Sequence, residues 1–268
     1  DHLLKELKTH KEKDTVKVNI LNDLAWEFTR KDSEKALEYA MQAEKISSEI
    51  SFKRGLITSN VRIGTIAIYQ KKMIEAESIF LDVLKEEEKE NYLYGIARAQ
   101  NQLGKIYYST NKYGESLKYY KKALDNFKIL DKKLQLALVN NNIGVIYKKI
   151  GKYNSAVEYY LNSLAIRREL KDKKRTAFSL SNLGSLFIVI EDYEKAIKYL
   201  NESEIYLTEN NQLYELSKVY TNLGIAFFQR NNELKAISYY EKAIDLNEKL
   251  GFLGKNITIY NNLGNLYY

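Results

Sequence analysis

Four asparagines stand 40 residues apart in the second half of the chain, at Asn142, Asn182, Asn222 and Asn262. A carboxamide side chain offers one acceptor and two donors, which match the C=O and N–H groups of an extended peptide backbone. Amides repeated at one spacing would grip the backbone of a bound chain, while pockets beside them would select its side chains. We call these four residues the asparagine row, and it predicts a surface that binds an extended peptide or protein segment.

Cationic and amide side chains extend and flank this row. Arg62 and Gln102 hold the same phase in the earlier part of the chain, and Asp23 is the equivalent residue nearest the N-terminus. Cations beside tyrosine rings suit an acidic segment, although scattered exposed lysines and packed tyrosines would give the same pattern. The predicted peptide-binding groove comprises Arg62, Arg98, Gln102, Lys105, Asn142, Lys149, Asn182, Asn222 and Asn262.

Residues suited to catalysis or metal binding are scarce. The chain has no cysteine and two histidines, His2 and His10, which we expect to be plain surface residues. No phosphate-binding glycine motif or nucleophile elbow occurs. The acidic runs at 86–88 and 202–204 are expected on exposed helix faces, where carboxylates are ordinarily solvated. We therefore predict no enzyme active site, no metal site and no cofactor within these residues.

The composition allows a large core and gives little support for other partners. Of 268 residues, 45% are hydrophobic, and 42 Lys and Arg face 35 Asp and Glu, a net charge of +7. The two signs are mixed along the chain, so we favour solvated helix faces over a nucleic-acid-binding stripe. No apolar run of about 20 residues occurs, so no membrane span is predicted in this fragment. Because the chain starts at Asp1, we expect a processed or trimmed piece.

Glycines at a fixed spacing organise the whole sequence. An apolar residue followed by glycine recurs every 40 residues, at Gly64, Gly104, Gly144, Gly184, Gly224 and Gly264. Twelve residues after each of the first five comes a small side chain, and four further on a large one. Spacings of three and four place residues on one helical face. The pattern predicts antiparallel helix pairs that bury their apolar faces by stacking on neighbouring pairs.

The period also predicts the bounds of the helices and of the repeats. We expect first helices near 16–29, 54–70, 93–110, 133–150, 173–190, 213–230 and 253–268. Second helices are expected near 33–49, 73–90, 113–130, 153–170, 193–209 and 233–250. Asn and Gly between paired helices tolerate the left-handed backbone that ends a helix.

The pattern resembles the tetratricopeptide repeat (TPR), with its W-x2-L-G-x2-Y and A-x3-F signature. The stretches Tyr260–Tyr268 and Tyr220–Phe227 look like starts of such repeats, although the closing proline is absent and the period is 40. The resemblance implies an all-α, right-handed TPR α-α superhelix (solenoid) of about six and a half repeats. We expect an N-terminal helix or arm over 1–15 and one TPR solenoid over 16–268. Its repeats would be 16–53, 54–92, 93–132, 133–172, 173–212, 213–252 and a partial one at 253–268.

The resemblance also implies a function. The loops before each first helix and the opening repeat around Trp26 are similar to those of bacterial TPR sensor regions that precede histidine kinases. That likeness implies the ligand-sensing region of a larger signal-transduction protein, periplasmic or extracytoplasmic in location. Asparagine is also common at this position in TPRs generally, and no lysine stands where the family's carboxylate clamp needs one.

Two other functions remain open from the sequence. One is a cytoplasmic peptide-binding TPR region of a transcriptional regulator. The other is a scaffold or self-association module that uses an uncapped C-terminal repeat, where Leu263, Leu266 and Tyr267 would be uncovered. We expect the protein to continue beyond Tyr268, or this end to dock onto another chain. An encoded apolar run of about 20 residues after it would favour the membrane sensor over the regulator.

Overall fold

The computed structural model describes residues 2–264, and the predictions about Leu266, Tyr267 and Tyr268 lie outside them. Within that range the chain forms helices joined by short turns, and it has no strand. The α-helices are α1 His2–Thr9, α2 Thr15–Phe28, α3 Ser33–Glu49, α4 Lys53–Tyr69, α5 Met73–Lys89, α6 Leu93–Ser109, α7 Tyr113–Ile129, α8 Lys133–Lys149, α9 Tyr153–Glu169, α10 Lys173–Val189, α11 Tyr193–Glu209, α12 Leu213–Gln229, α13 Glu233–Lys249 and α14 Asn256–Gly264. The 3₁₀ helix Leu253–Lys255 precedes α14.

The helices pair as the 40-residue period predicts, and the all-α TPR solenoid class is confirmed. Each first helix from α2 to α12 packs on the second helix that follows it, and α14 packs on α13. The predicted bounds of α2 to α13 are correct to within one residue at each end. The chain divides into two compact units, Asp1–Asp131 and Lys132–Tyr268. One continuous solenoid over 16–268 stays a prediction.

The repeated glycine of each first helix accommodates a large side chain of its partner helix. A Cβ placed on Gly104 would lie 2.7 Å from the Tyr120 ring, and one on Gly144 would lie 2.6 Å from the Tyr160 ring. Leu200 fills the same space beside Gly184. These large side chains are almost fully buried, since Tyr120 is 3% and Tyr160 is 2% exposed. The 40-residue glycine period therefore exists because a ring or leucine occupies the volume of the missing side chain.

A second set of aromatic residues stacks between the two helices of four of the pairs, α6–α7, α8–α9, α10–α11 and α12–α13. Tyr107 stacks on Tyr119 in the first unit, with ring centroids 5.4 Å apart. In the second unit the equivalent stacks join Tyr147 to Tyr159, Phe187 to Tyr199 and Phe227 to Tyr239. Offset stacks of this kind add about 0.5–1.5 kcal/mol beyond area burial. The aromatic residues three positions after Gly104, Gly144, Gly184 and Gly224 thus pack against the second helix of their own repeat.

A left-handed residue ends every helix from α3 to α13. These residues stand 20 apart, so each 40-residue repeat consists of two equal halves of a 17-residue helix and a three-residue turn. Nine are not glycine, with φ between 47° at Asp131 and 62° at Glu191, and two are Gly151 and Gly251. The additional length over a 34-residue repeat therefore lies in the helices rather than in a long loop.

Substitutions at two equivalent turns should change stability in opposite directions. Gly151→Ala should destabilise the chain by about 1 kcal/mol, because an L-residue in the left-handed region costs about 1–2 kcal/mol. Glu191→Gly should stabilise it by about 0.5 kcal/mol. Glycine adopts the left-handed backbone without that cost, but it loses more conformational entropy on folding than glutamate does. Urea unfolding of the two variants measures both shifts, and shifts of the same sign would contradict the assignment.

The N-terminal arm is a short docked helix. Leu7 of α1 packs against Val18, Leu21, Ala43 and Ile46. His2 is exposed as expected, but His10 is not a plain surface residue. Its Nε2 lies 2.8 Å from Asp14 Oδ1, and the same oxygen accepts a hydrogen bond from the Lys17 N–H at the start of α2. The hydrogen bonds from Lys17 and His10 lower the pKa of Asp14. The reason for this error is that His10 stands one turn before the N-cap, which the pattern did not locate.

At the other end, α14 is only partly covered. Ile259 is buried against Ala236, Tyr240 and Ala243, and Leu263 is half-buried against the same cluster. Ile257 remains 64% exposed and Tyr260 52% exposed. No helix of the described residues is long and apolar enough to cross a bilayer.

Candidate peptide-binding face

Arg62 is the most enclosed of the predicted site residues in the first unit. Its Nε donates to the Asn22 carbonyl oxygen at 3.1 Å, and its guanidinium carbon lies 4.9 Å from the Trp26 ring centroid. Burial lowers the pKa of Arg62, and the nearby positive charge of Arg98 lowers it further, while Asp23 raises it. Arg62 therefore joins α4 to α2, and part of its hydrogen-bonding capacity is used within the protein.

The other predicted residues of the first unit lie on α6. Arg98 is exposed with its guanidinium carbon 5.8 Å from the Tyr94 ring centroid, and the Lys105 amine lies 5.7 Å from that of Tyr69 on α4. Gln102 Nε2 donates a long hydrogen bond of 3.4 Å to Thr65 Oγ1, also on α4. In this unit the predicted residues form a cationic, aromatic surface on neighbouring first helices.

In the second unit the asparagine row lies on consecutive first helices. Asn142, Asn182 and Asn222 occupy equivalent positions of α8, α10 and α12, and each side chain is half-buried. Asn182 Nδ2 donates to Asn141 Oδ1 at 2.9 Å, so the amides of α8 and α10 are within contact of one another. The row is thus a set of amides at equivalent positions, and Asn182 is held in place by Asn141, which lies beside the row.

The two adjacent lysines of the second unit, Lys148 and Lys149, differ in how far their side chains are buried. Lys148 Nζ donates to Ser185 Oγ at 2.7 Å, and burial lowers the pKa of this amine. The predicted Lys149 is exposed beside it. Asn262 of α14 is half-buried next to the hydroxyl of Tyr240, whose pKa is raised to about 12 by burial. The structure therefore places Asn262 against the core and Lys149 at the surface.

Residues that the sequence pattern did not single out lie near the C-terminal ends of the second helices. The same position, 40 residues apart in each repeat, carries a different buried side chain at Ser47, Glu87, Phe127, Arg167, Leu207 and Asn247. Asn247 Nδ2, for example, donates to Asn256 Oδ1 at 2.9 Å. Because these residues share no chemical type, no periodic signal in the sequence marks them.

Glu87 corrects the expectation that the acidic run at 86–88 is solvated. It is 2% exposed, and its Oε2 accepts a hydrogen bond from Arg54 Nη1 at 2.7 Å. Gly95 on α6 leaves room for the carboxylate, since a Cβ there would lie 2.2 Å from Glu87 Cδ. One carboxylate held by one arginine is a structural ion pair rather than an acid–base pair. Among residues 2–264 no group of three or more potential ligands could hold a metal ion.

Solved structures of other proteins share the fold of stacked helix pairs. BtubC from P. vanneervenii has a TM-score of 0.73 and 17% identity, and the match covers 82% of this chain and 92% of that one. A Rap protein in complex with competence and sporulation factor has a TM-score of 0.65 and 21% identity, with 92% and 68% covered. A signal transduction ATPase with a tetratricopeptide repeat sensor from Pyrococcus horikoshii has a TM-score of 0.78 and 17% identity, with 96% and 41% covered. At these identities the matches establish the fold alone.

Family models give a more specific result. The tetratricopeptide repeat model matches residues 55–129 and 135–204, and a second model of the same repeat matches 217–250. No curated protein matches the chain. The matched residues cover more than half of the sequence and coincide with the helix pairs described above. The chain therefore belongs to the tetratricopeptide repeat family, a family of protein-binding modules.

Proposed function

We propose that the chain binds an extended peptide or protein segment along the faces of its first helices. The observation that carries this proposal is the asparagine row of the second unit, whose amides are half-buried and equivalent on successive first helices. A half-buried amide loses less side-chain freedom on binding than an exposed one, and Asn182 is already held by its hydrogen bond to Asn141. The exposed Arg98 and Lys105 of the first unit, both near tyrosine rings, favour a segment with acidic residues.

We further propose that the module is the ligand-sensing region of a larger bacterial signal-transduction protein of the histidine kinase type. Two structural neighbours support a sensing role: one is a Rap protein complexed with competence and sporulation factor, and the other is a signal transduction ATPase with a tetratricopeptide repeat sensor. In a repeat array each repeat contacts only its neighbours, so small rotations between repeats add along the chain. A bound segment that bridges successive first helices would bias those rotations.

Alanine at three positions of the asparagine row tests the binding proposal. Peptide ligands are first selected from a random peptide library against the full chain. The combined variant Asn142→Ala, Asn182→Ala and Asn222→Ala should then weaken binding about 100-fold, because each lost hydrogen bond contributes about 0.5–1.5 kcal/mol. Fluorescence anisotropy of a labelled peptide measures the dissociation constant, and circular dichroism checks that helicity is retained.

A matched control has three exposed asparagines of α9 and α11 changed to alanine, at Asn154, Asn162 and Asn201. It removes the same number of amides from second helices and should bind peptide as the unmodified chain does. Equal affinity of the unmodified chain and the asparagine-row variant would refute the proposed binding face.

A further inference from the structure

Arg167 is a buried cation that has no ion-pair partner among residues 2–264. It lies in the last turn of α9 and is 5% exposed. Its Nη1 donates to the Arg175 carbonyl oxygen at 2.9 Å and to Ser179 Oγ at 2.6 Å, while its Nε is buried without an acceptor among the described residues. The equivalent Glu87 of the first unit, by contrast, has an arginine beside it. A buried charge of this kind is costly unless it is paired.

The carboxylate of Asp172, whose charge acts on Arg167, already pairs with Arg175. Asp172 Oδ1 accepts a hydrogen bond from the Arg175 backbone N–H at 3.0 Å, and Asp172 Oδ2 pairs with Arg175 Nη1 at 2.7 Å. Desolvation lowers the pKa of Arg167 to about 10, with the more distant charge of Asp172 opposing that shift. The charge of Asp172 balances that of Arg175, so Arg167, Asp172 and Arg175 together carry one net positive charge.

A cavity of about 270 Å³ adjoins this uncompensated charge. Leu134, Ala137 and Leu138 of α8 line one side, and Arg167, Asp172 and Arg175 line the other. Leu134 is 54% exposed and Leu138 is 44% exposed, so two aliphatic side chains stand open to solvent at the rim. The volume lies below the roughly 300–1,000 Å³ of pockets for drug-sized ligands, which suits a single residue-sized group.

We propose that this cavity, the Arg167 cavity, binds an aliphatic carboxylate. The carboxylate would pair with Arg167 and Arg175, and the aliphatic body would cover Leu134 and Leu138. Arginine binds carboxylates through two parallel N–H donors, and the unused Nε of Arg167 is one such donor. The carboxylate could be the C-terminus of a peptide that ends in an aliphatic residue, a source that rests on the proposed function, or a free branched-chain acid.

The test uses three small probes with the full chain. N-acetyl-leucine imitates a peptide C-terminus, N-acetyl-leucinamide lacks its charge, and 4-methylpentanoate is a free acid. We expect N-acetyl-leucine to shift the ¹⁵N–¹H resonance of Arg167 Nε, assigned by its loss in Arg167→Lys, and the amide to leave it unmoved. Tighter binding of N-acetyl-leucine than of 4-methylpentanoate by tenfold or more indicates a peptide end, and the reverse order indicates a free acid.

Two variants keep the test independent of any loss of folding at Arg167. Leu138→Asp places a second carboxylate at an exposed position of the rim and should weaken N-acetyl-leucine binding at least tenfold. Leu161→Asp is the control, since Leu161 is a leucine of similar exposure, 39%, on α9 outside the cavity. Equal shifts with the acid and the amide, no shift with either acid, or equal effects of the two variants would overturn the proposal. The probes are too short to span the asparagine row, so their failure leaves the peptide-binding test unaffected.

Discussion

Gly144→Ala should destabilise the chain by about 1–3 kcal/mol, the range observed when a methyl group is forced into a packed core. Alanine is the better helix former by about 1 kcal/mol, so propensity alone predicts the opposite sign. The added Cβ would lie 2.6 Å from Cδ1 and 2.7 Å from Cε1 of Tyr160. That ring is 2% exposed and cannot swing into solvent without opening the helix pair. The midpoint of urea unfolding, with the slope held in common, measures the loss.

The control for this prediction is another glycine within a helix. Gly114 lies near the start of α7 and is exposed, and a Cβ there would meet no atom within 4 Å. Gly114→Ala should therefore stabilise the chain by about 0.5–1 kcal/mol. If Gly144→Ala behaved like Gly114→Ala, the ring of Tyr160 would not be the reason for the glycine period.

Periodic features of the fold were predictable because each repeat obeys the same packing rule. Gly104 and Gly144 face Tyr120 and Tyr160 through the same geometry, so selection for that contact leaves a mark every 40 residues. Helix bounds follow from the same phase, since the turns fall at fixed distances from the glycine. The equal 20-residue halves are already contained in those bounds, whereas the left-handed residue of each turn was not marked by one residue type, since serine, lysine, asparagine, aspartate, glutamate and glycine all occur there.

Contacts between one repeat and the next were less predictable. In the run 86–88 only Glu87 points inward, since neighbouring residues on a helix are about 100° apart. Which of the three is buried depends on how α5 meets α6, and no residue type signals that. Asn142, Asn182 and Asn222 occupy equivalent positions of successive first helices, yet the bond from Asn182 to Asn141 depends on the separation of α8 and α10. Local pattern fixes the face of a side chain, whereas its partners depend on the packing of neighbouring repeats.

The contact between Glu87 and Gly95 should be visible as a coupling energy. Gly95→Ala alone should destabilise the chain by about 2–3 kcal/mol, because its Cβ would occupy the space of the Glu87 carboxylate and displace it from Arg54. In the Glu87→Ala background that space is empty, and Arg54 is 46% exposed at its side chain and can be solvated. The second substitution should then cost less than about 1 kcal/mol, a coupling within the range for residues in contact.

Glu88 provides the matched control for this cycle, because it is the next residue of the same acidic run and is exposed. Glu88→Ala and Gly95→Ala should be additive to within about 0.5 kcal/mol, as substitutions without shared partners are. Urea unfolding of the single and double variants gives both cycles. A Glu87–Gly95 coupling no larger than the Glu88–Gly95 value would mean that the carboxylate is not seated on Gly95. A confirmed coupling would show that Glu87 and Gly95 fit one another at this junction, whereas the equivalent position of the second unit holds Arg167. The shared helix pairs would then build the array, while the junction residues would set how each repeat meets the next.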